Sequence, residues 1–191
     1  MNSAFIGITG ASGGVYAERL IEVLSANGVF VEICASEMGE KVLAYELEGM
    51  TTKKLAERYG VKRYSPDDLF APPASGTSVP DATAIAPASV STLAHIANGI
   101  GTNLLHRVAD VALKERKRLV LLTREMPYSL VHLRNMVAVT EAGGIVVPAA
   151  PGFYNHPETL DDVVDFVVGK TLDLMGVEHE LVERWGQKRR G

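Results

Sequence analysis

Five short apolar runs, at residues 4–9, 29–35, 82–86, 119–123 and 144–148, punctuate this chain, and a helical pattern follows each of them. Runs such as Leu119–Val120–Leu121–Leu122 are continuous rather than alternating, the pattern of strands buried on both faces. After the first run Tyr16, Leu20, Val23 and Leu24 recur at helical spacing, and Gly28 offers a stop. Further helices are expected over 37–48, from about Ser89, and over 103–116, 129–142 and 159–175, with a short one over 51–59. The stretch "APPASGTSVP" at 71–80 is expected as a loop. Strand and helix alternating in this way specify a three-layer α/β/α sandwich around a doubly wound parallel sheet, Rossmann- or flavodoxin-like. With neither repeats nor long linkers, residues 1–191 are expected as a single domain.

Composition narrows the partners. Hydrophobic residues make up 47% and charged residues 22% of the chain, ordinary values for a globular protein, and the net charge is −4. Neither nucleic acid nor an anionic membrane is favoured as a bulk partner. The basic Lys188, Arg189 and Arg190 are expected as a solvated terminus. Cys34 is the single cysteine, so an internal disulfide and a cysteine-based metal site are both excluded. No run approaches the roughly 18 apolar residues of a membrane span, and residues 1–4 lack the basic start of a secretion signal. The expected setting is cytoplasmic.

The unusual residues fall where the strands end. "GASGG" (10–14), Ser36, "PASVST" (87–92), "TREMP" (123–127) and "AAPGFY" (149–154) each follow one apolar run. In an open parallel sheet these are the C-terminal ends of the strands, the rim at which ligands bind. A dinucleotide site needs G-x-G-x-x-G and an acid about 20 residues later. Here the glycines are Gly7, Gly10, Gly13 and Gly14, and the second run ends in Ser36. A P-loop fails as well, because no Gly-Lys-Ser/Thr follows. A mononucleotide such as FMN remains, its phosphate resting on Ser89, Ser91 and Thr92 at a helix N-terminus. Ser89 is equally a good N-cap that needs no ligand.

Charged residues add a second anion theme. Leu104, Arg107, Val111 and Lys114 share one helical stripe, and Lys170 shares another with Val163, Val167 and Leu174. Such cations either snorkel or pair, as Asp110 can with its neighbours, or they assemble an anion site where faces meet between subunits. Glu125, beside Arg124, is available as a proton donor or base, or as an ion-pair partner of an arginine. Tyr154 can bond a phosphate or pack under its loop, and Glu46 reads as a solvated helix charge. Asp161, Asp162 and Asp165 form "DDVVD", a magnesium-diphosphate pattern, yet Thr159 ahead of them makes a helix start the better reading. His95, His106, His132, His156 and His179 have no metal-ligand spacing, so no metal is expected.

The set "TGASG", "PPASGTS", "RVADVALKER", "LLTREMP", "LRNM" and "PAAPGFY", closing with Arg184–Trp185, resembles the flavin prenyltransferases of the UbiX family nearly from end to end. The resemblance implies that reduced FMN is alkylated by dimethylallyl phosphate at N5 and C6. It also implies that phosphate is released without a metal, and that prenylated FMN passes to a UbiD-type decarboxylase. Carried over by position, Gly10, Ala11, Ser12, Ser36, Ser89, Val90, Ser91, Thr92 and Arg124 match flavin contacts, with Ser12 near the reacting centre. Tyr154 and Lys170 match residues that hold the substrate phosphate. Arg107 and Lys114 match basic residues contributed by neighbouring subunits, and Glu125 matches the acid that manages protons. Glu46 matches a nearby acid. The family assembles as a dodecamer with sites at subunit interfaces. This chain has Lys170 where members carry Arg or Lys, and Leu69–Phe70 where some carry Trp. The alternatives are an FMN-dependent decarboxylase of the cysteine-decarboxylase superfamily, which has "PASANT" where this chain has "PASVST", and a non-catalytic flavin carrier. That superfamily also uses an active-site His and a Met-Asn motif on a loop, whereas here Asn135–Met136 is reversed and within an expected helix.

Overall fold

The computed structural model describes residues 1–182; the Arg184–Trp185 motif and the basic Lys188, Arg189 and Arg190 lie outside the described residues. In chain order the elements are β1 (Ser3–Ile8), α1 (Gly14–Ala26), β2 (Phe30–Ala35), α2 (Glu37–Glu46), α3 (Thr52–Tyr59) and β3 (Lys62–Tyr64). After a 3₁₀ turn at Pro72–Ala74 come β4 (Ala82–Ala88), α4 (Val90–Ala97), α5 (Leu104–Lys114), β5 (Arg118–Thr123), α6 (Leu130–Glu141), β6 (Ile145–Pro148) and α7 (Leu160–Met175). The strands form one sheet in the order β3-β2-β1-β4-β5-β6, with every neighbouring pair parallel. This is the expected doubly wound three-layer sandwich. Its order reverses between β1 and β4, which opens a crevice at their C-terminal ends.

Pleat alternation builds the two apolar layers. Ala4, Ile6 and Ile8 of β1 and Ala82, Ala84 and Ala86 of β4 join α1, α3 and α7 in one core. The alanines of β4 leave room for the helices to approach closely. On the opposite face Phe5 and Cys34 pack beneath Leu104, Leu105 and Val108 of α5, and Ile85 and Leu121 meet α4 and α6.

One strand goes beyond the five expected. Lys62–Arg63–Tyr64 pairs with β2 at the sheet edge, where its two exposed cations discourage further pairing. Several helices are shorter than expected because their ends are caps. Asn103, Ser129 and Thr159 accept from the third helical amide of α5, α6 and α7 rather than belonging to them. The expected 37–48 helix stops at Glu46, and Glu48 and Gly49 turn away at φ 48° and 80°. "DDVVD" is a helix start: Asp162 completes a capping box with Thr159, and Asp165 pairs with Arg19 at 2.7 Å. Among the described residues, no helix is long and apolar enough to cross a membrane.

Between α4 and α5, the rings of His95 and His106 stack with centroids 4.4 Å apart. His106 is buried, with Nδ1 3.0 Å from the Thr102 hydroxyl. Burial first, then the charge of His95, pulls its pKa from 6.5 down to about 4. The folded protein therefore resists a proton that the unfolded chain accepts. That stability is fully present above about pH 6.5 and is lost as pH falls towards 4. Urea unfolding across this window is expected to reveal a decline of up to about 1.4 kcal/mol per pH unit that His106→Gln flattens. An identical slope in the variant would assign the decline to other groups.

Candidate functional site

The glycine turn after β1 folds around an internal anion. Gly13 lies at φ 122°, a conformation that a side chain would strain, and it offers α1 no side-chain cap. The cap comes instead from Glu46 at the end of α2. Its carboxylate accepts the N–H groups of Gly13 at 2.9 Å and Gly14 at 2.8 Å, and bonds the Ser12 hydroxyl. Burial pushes this carboxyl upward, but Ser12, the two amides and the charge of Arg124 outweigh it and hold the pKa below the usual range. Glu46 is thus not the solvated helix charge expected from sequence. It also fills the positive end of α1, so a ligand phosphate must find another helix. Glu46→Ala is expected to cost about 1–2 kcal/mol in chemical unfolding, and Glu46→Gln less, because the amide keeps one acceptor. Equal losses would mean that the acceptor contributes nothing.

That other helix is α4, across the crevice. Ser89 caps it, with Oγ accepting the Thr92 N–H at 3.2 Å. The Ser89 N–H itself donates to the Thr9 hydroxyl at 2.8 Å. Among the described residues the N–H groups of Val90 and Ser91 have no partner, and the Ser91 side chain is exposed. Two open amides at a helix N-terminus form an anion seat. Ser36 caps α2 in the same manner, accepting from Gly39 at 3.0 Å, and its hydroxyl proton stays available to the crevice.

Arg124 and Glu125 leave β5 on the same rim. Arg124 is exposed, and its charge reaches Glu46, so the loops after β1 and β5 converge. Glu125 is half-buried, and one of its oxygens accepts the Met126 N–H at 3.0 Å. It makes no ion pair among the described residues, which leaves it free for proton work. The Tyr154 ring meets Phe166 edge-on with centroids 5.6 Å apart, and the exposed Lys170 lies one turn beyond Phe166 on α7.

Gly10, Ala11 and Ser12 thus stand on the β1 side of the crevice and Ser89 to Thr92 on the β4 side, the Arg124 charge reaches Glu46 from the loop after β5, and Tyr154 and Lys170 flank Phe166. Arg107 and Lys114 are not brought to this rim. Arg107 donates to the Ala74 carbonyl at 3.2 Å and to Asp110 at 2.8 Å, and Lys114 pairs with Glu115 beside Gly76. Leu104 starts α5 beside the rim, where its N–H meets Pro66, and Lys114 lies about 15 Å further along the helix. Thr9 carries no signal in the sequence beyond a hydroxyl at a strand end.

The Flavoprotein family signature matches residues 2–172. A flavin prenyltransferase UbiX from Methanocaldococcus jannaschii is 45% identical over 181 residues, covering 94% of this chain and 96% of that protein. The crystal structure of AnUbiX in complex with FMN and dimethylallyl pyrophosphate superposes with a TM-score of 0.94 at 34% identity, covering 98% of this chain and 99% of that one. A dodecameric FMN-dependent UbiX-like decarboxylase from Escherichia coli O157:H7 superposes with a TM-score of 0.90 at 37% identity, covering 97% and 100% of the two chains.

Proposed function

The chain belongs to the flavin prenyltransferases of the UbiX family, and on that premise we propose how its own residues divide the reaction. The enzyme joins the dimethylallyl group of dimethylallyl phosphate to N5 and C6 of reduced FMN and releases phosphate. FMN is here a substrate, supplying the nucleophile, so the protein's tasks are positioning, charge stabilisation and proton traffic.

The observation that carries this assignment is the pair of open amides on Val90 and Ser91, facing across the crevice a turn that Glu46 has already sealed. Glu46 closes the N-terminus of α1 to anions. Of the two rim helices that keep open first-turn amides, α2 carries Glu37 and Glu40 in its first turn whereas α4 carries no acid there, which directs the FMN phosphate to the segment Ser89, Val90, Ser91 and Thr92. Gly10, Ala11, Ser12, Ser36 and Arg124 then border the flavin ring. Tyr154 and Lys170 hold the phosphate of the prenyl donor, with Arg107 and Lys114 of a neighbouring subunit completing its charge. As the allylic C–O bond breaks, the electron pair leaves with phosphate, and fixed cations stabilise that developing charge. Glu125 delivers a proton to the departing phosphate; N5 loses its proton as it bonds C1, the prenyl double bond then takes a proton at C2 as C3 bonds C6, and Glu125 receives the proton displaced from C6.

A homo-oligomer, a dodecamer in this reading, is supported by what a single copy leaves uncovered. Leu130, Val131, Leu133 and Val137 of α6 are all exposed, and Phe70 is wholly so. Such an assembly also gives Arg107 and Lys114, whose side chains bond Ala74, Asp110 and Glu115 within one chain, a phosphate to serve. The chain works as one domain in the cytoplasm, and its product passes to a UbiD-type decarboxylase. A decarboxylase activity of its own is not favoured: Asn135 and Met136 lie within α6 rather than on a loop.

Release of inorganic phosphate tests the assignment. It is expected only when reduced FMN and dimethylallyl phosphate are both present, in step with flavin consumption. Release with oxidised FMN, or without flavin, would make the enzyme a phosphatase instead.

A further inference from the structure

We propose that Thr9 is the positioning residue of the anion seat: its hydroxyl fixes which amides of α4 face the FMN phosphate, without touching the ligand. Thr9 directly follows β1 and is 2% exposed. Its Oγ1 donates to the Pro87 carbonyl at 2.7 Å and accepts the Ser89 N–H at 2.8 Å, while its own N–H donates to the same carbonyl at 3.2 Å. One hydroxyl thereby uses its proton and a lone pair on a single loop eighty residues away in sequence.

The bonds sort the amides at the start of α4. Thr9 takes Ser89, the Ser89 side chain takes Thr92, and Val90 and Ser91 are left open side by side. Without the hydroxyl, one acceptor position of Pro87 loses its partner in a buried place and the Ser89 N–H loses its partner in a half-buried one, a loss the loop relieves by turning. The same bonds join the loop to β1, and so to the turn of Gly10, Ala11 and Ser12 that borders the rest of the flavin. The distance between phosphate seat and ring seat is therefore set through Thr9. Valine keeps the shape of threonine but makes neither side-chain bond, whereas serine keeps both. This inference rests on the phosphate reading of the α4 N-terminus given above.

Binding of FMN and of riboflavin, which lacks the phosphate, separates the two ideas. Wild-type protein is expected to prefer FMN; equal affinity for both flavins would overturn the phosphate reading itself. In Thr9→Val, FMN affinity is expected to fall roughly tenfold while riboflavin affinity stays within about twofold, and Thr9→Ser restores the preference. An equal loss for both flavins, or a loss for neither, would overturn the positioning role while leaving the phosphate reading in place. Amide hydrogen exchange on wild-type protein decides the matter even where Thr9→Val does not fold. Ser89 is expected to be protected before any flavin is added, and Val90 and Ser91 to become protected with FMN but not with riboflavin. Fast exchange at Ser89 in the flavin-free protein would overturn the inference.

Discussion

Lys114→Ala is expected to lower kcat/KM for prenyl transfer by roughly 100-fold or more while leaving FMN affinity within about twofold. Nothing at the rim of the same chain explains such a loss: Lys114 ends α5, pairs with Glu115 and adjoins the loop at Gly76. The effect follows only if the ammonium group serves the phosphate of a neighbouring site, where it offsets charge that grows as the C–O bond breaks. Mixing makes the claim sharper. Lys114→Ala and Glu125→Gln subunits, each nearly inactive alone, are expected to recover about a quarter of wild-type activity after joint dissociation and reassembly. Sites that draw Lys114 from one chain and Glu125 from another are intact in that proportion. If Lys114→Ala is inactive and mixing recovers nothing, the site lies within a single chain.

Glu125→Gln is expected to lower kcat by roughly 10²- to 10⁴-fold with little change in KM for either substrate. The amide preserves the shape of the side chain and its acceptor bond from the Met126 N–H, so the loop after β5 stays in place. What it removes is the capacity to take and give a proton. A rise in KM at unchanged kcat would instead make Glu125 a simple binding group. Single-turnover measurements with saturating reduced FMN separate these outcomes.

The strands that were legible from sequence are those whose burial on both faces demanded continuous Val, Ile, Leu or Ala. β3 lacked that signature because an edge strand buries little, and Lys62 and Arg63 are what an edge favours. Thr159 reads from sequence as the cap it is, whereas Asn103 and Ser129 mark helix starts but read as helical residues, since a cap differs from a first residue only in backbone geometry. In the site, strand-end loops of Gly and Ser were legible because turn chemistry is local. The partners of those loops were not. Glu46 lies 33 residues from Gly13, and Thr9 lies 80 from Ser89, so their bonds exist only after β1, β4 and α2 have docked. The Arg107–Lys114 stripe was legible as helix periodicity, but a single chain does not say what its cations face.

Anaerobic incubation of the purified protein with reduced FMN and dimethylallyl phosphate, followed by mass spectrometry of the released flavin, tests the central claim most directly. A flavin heavier by one five-carbon prenyl unit, formed without added metal, is the expected result. Unmodified FMN, with the diphosphate tried as donor as well, would contradict it.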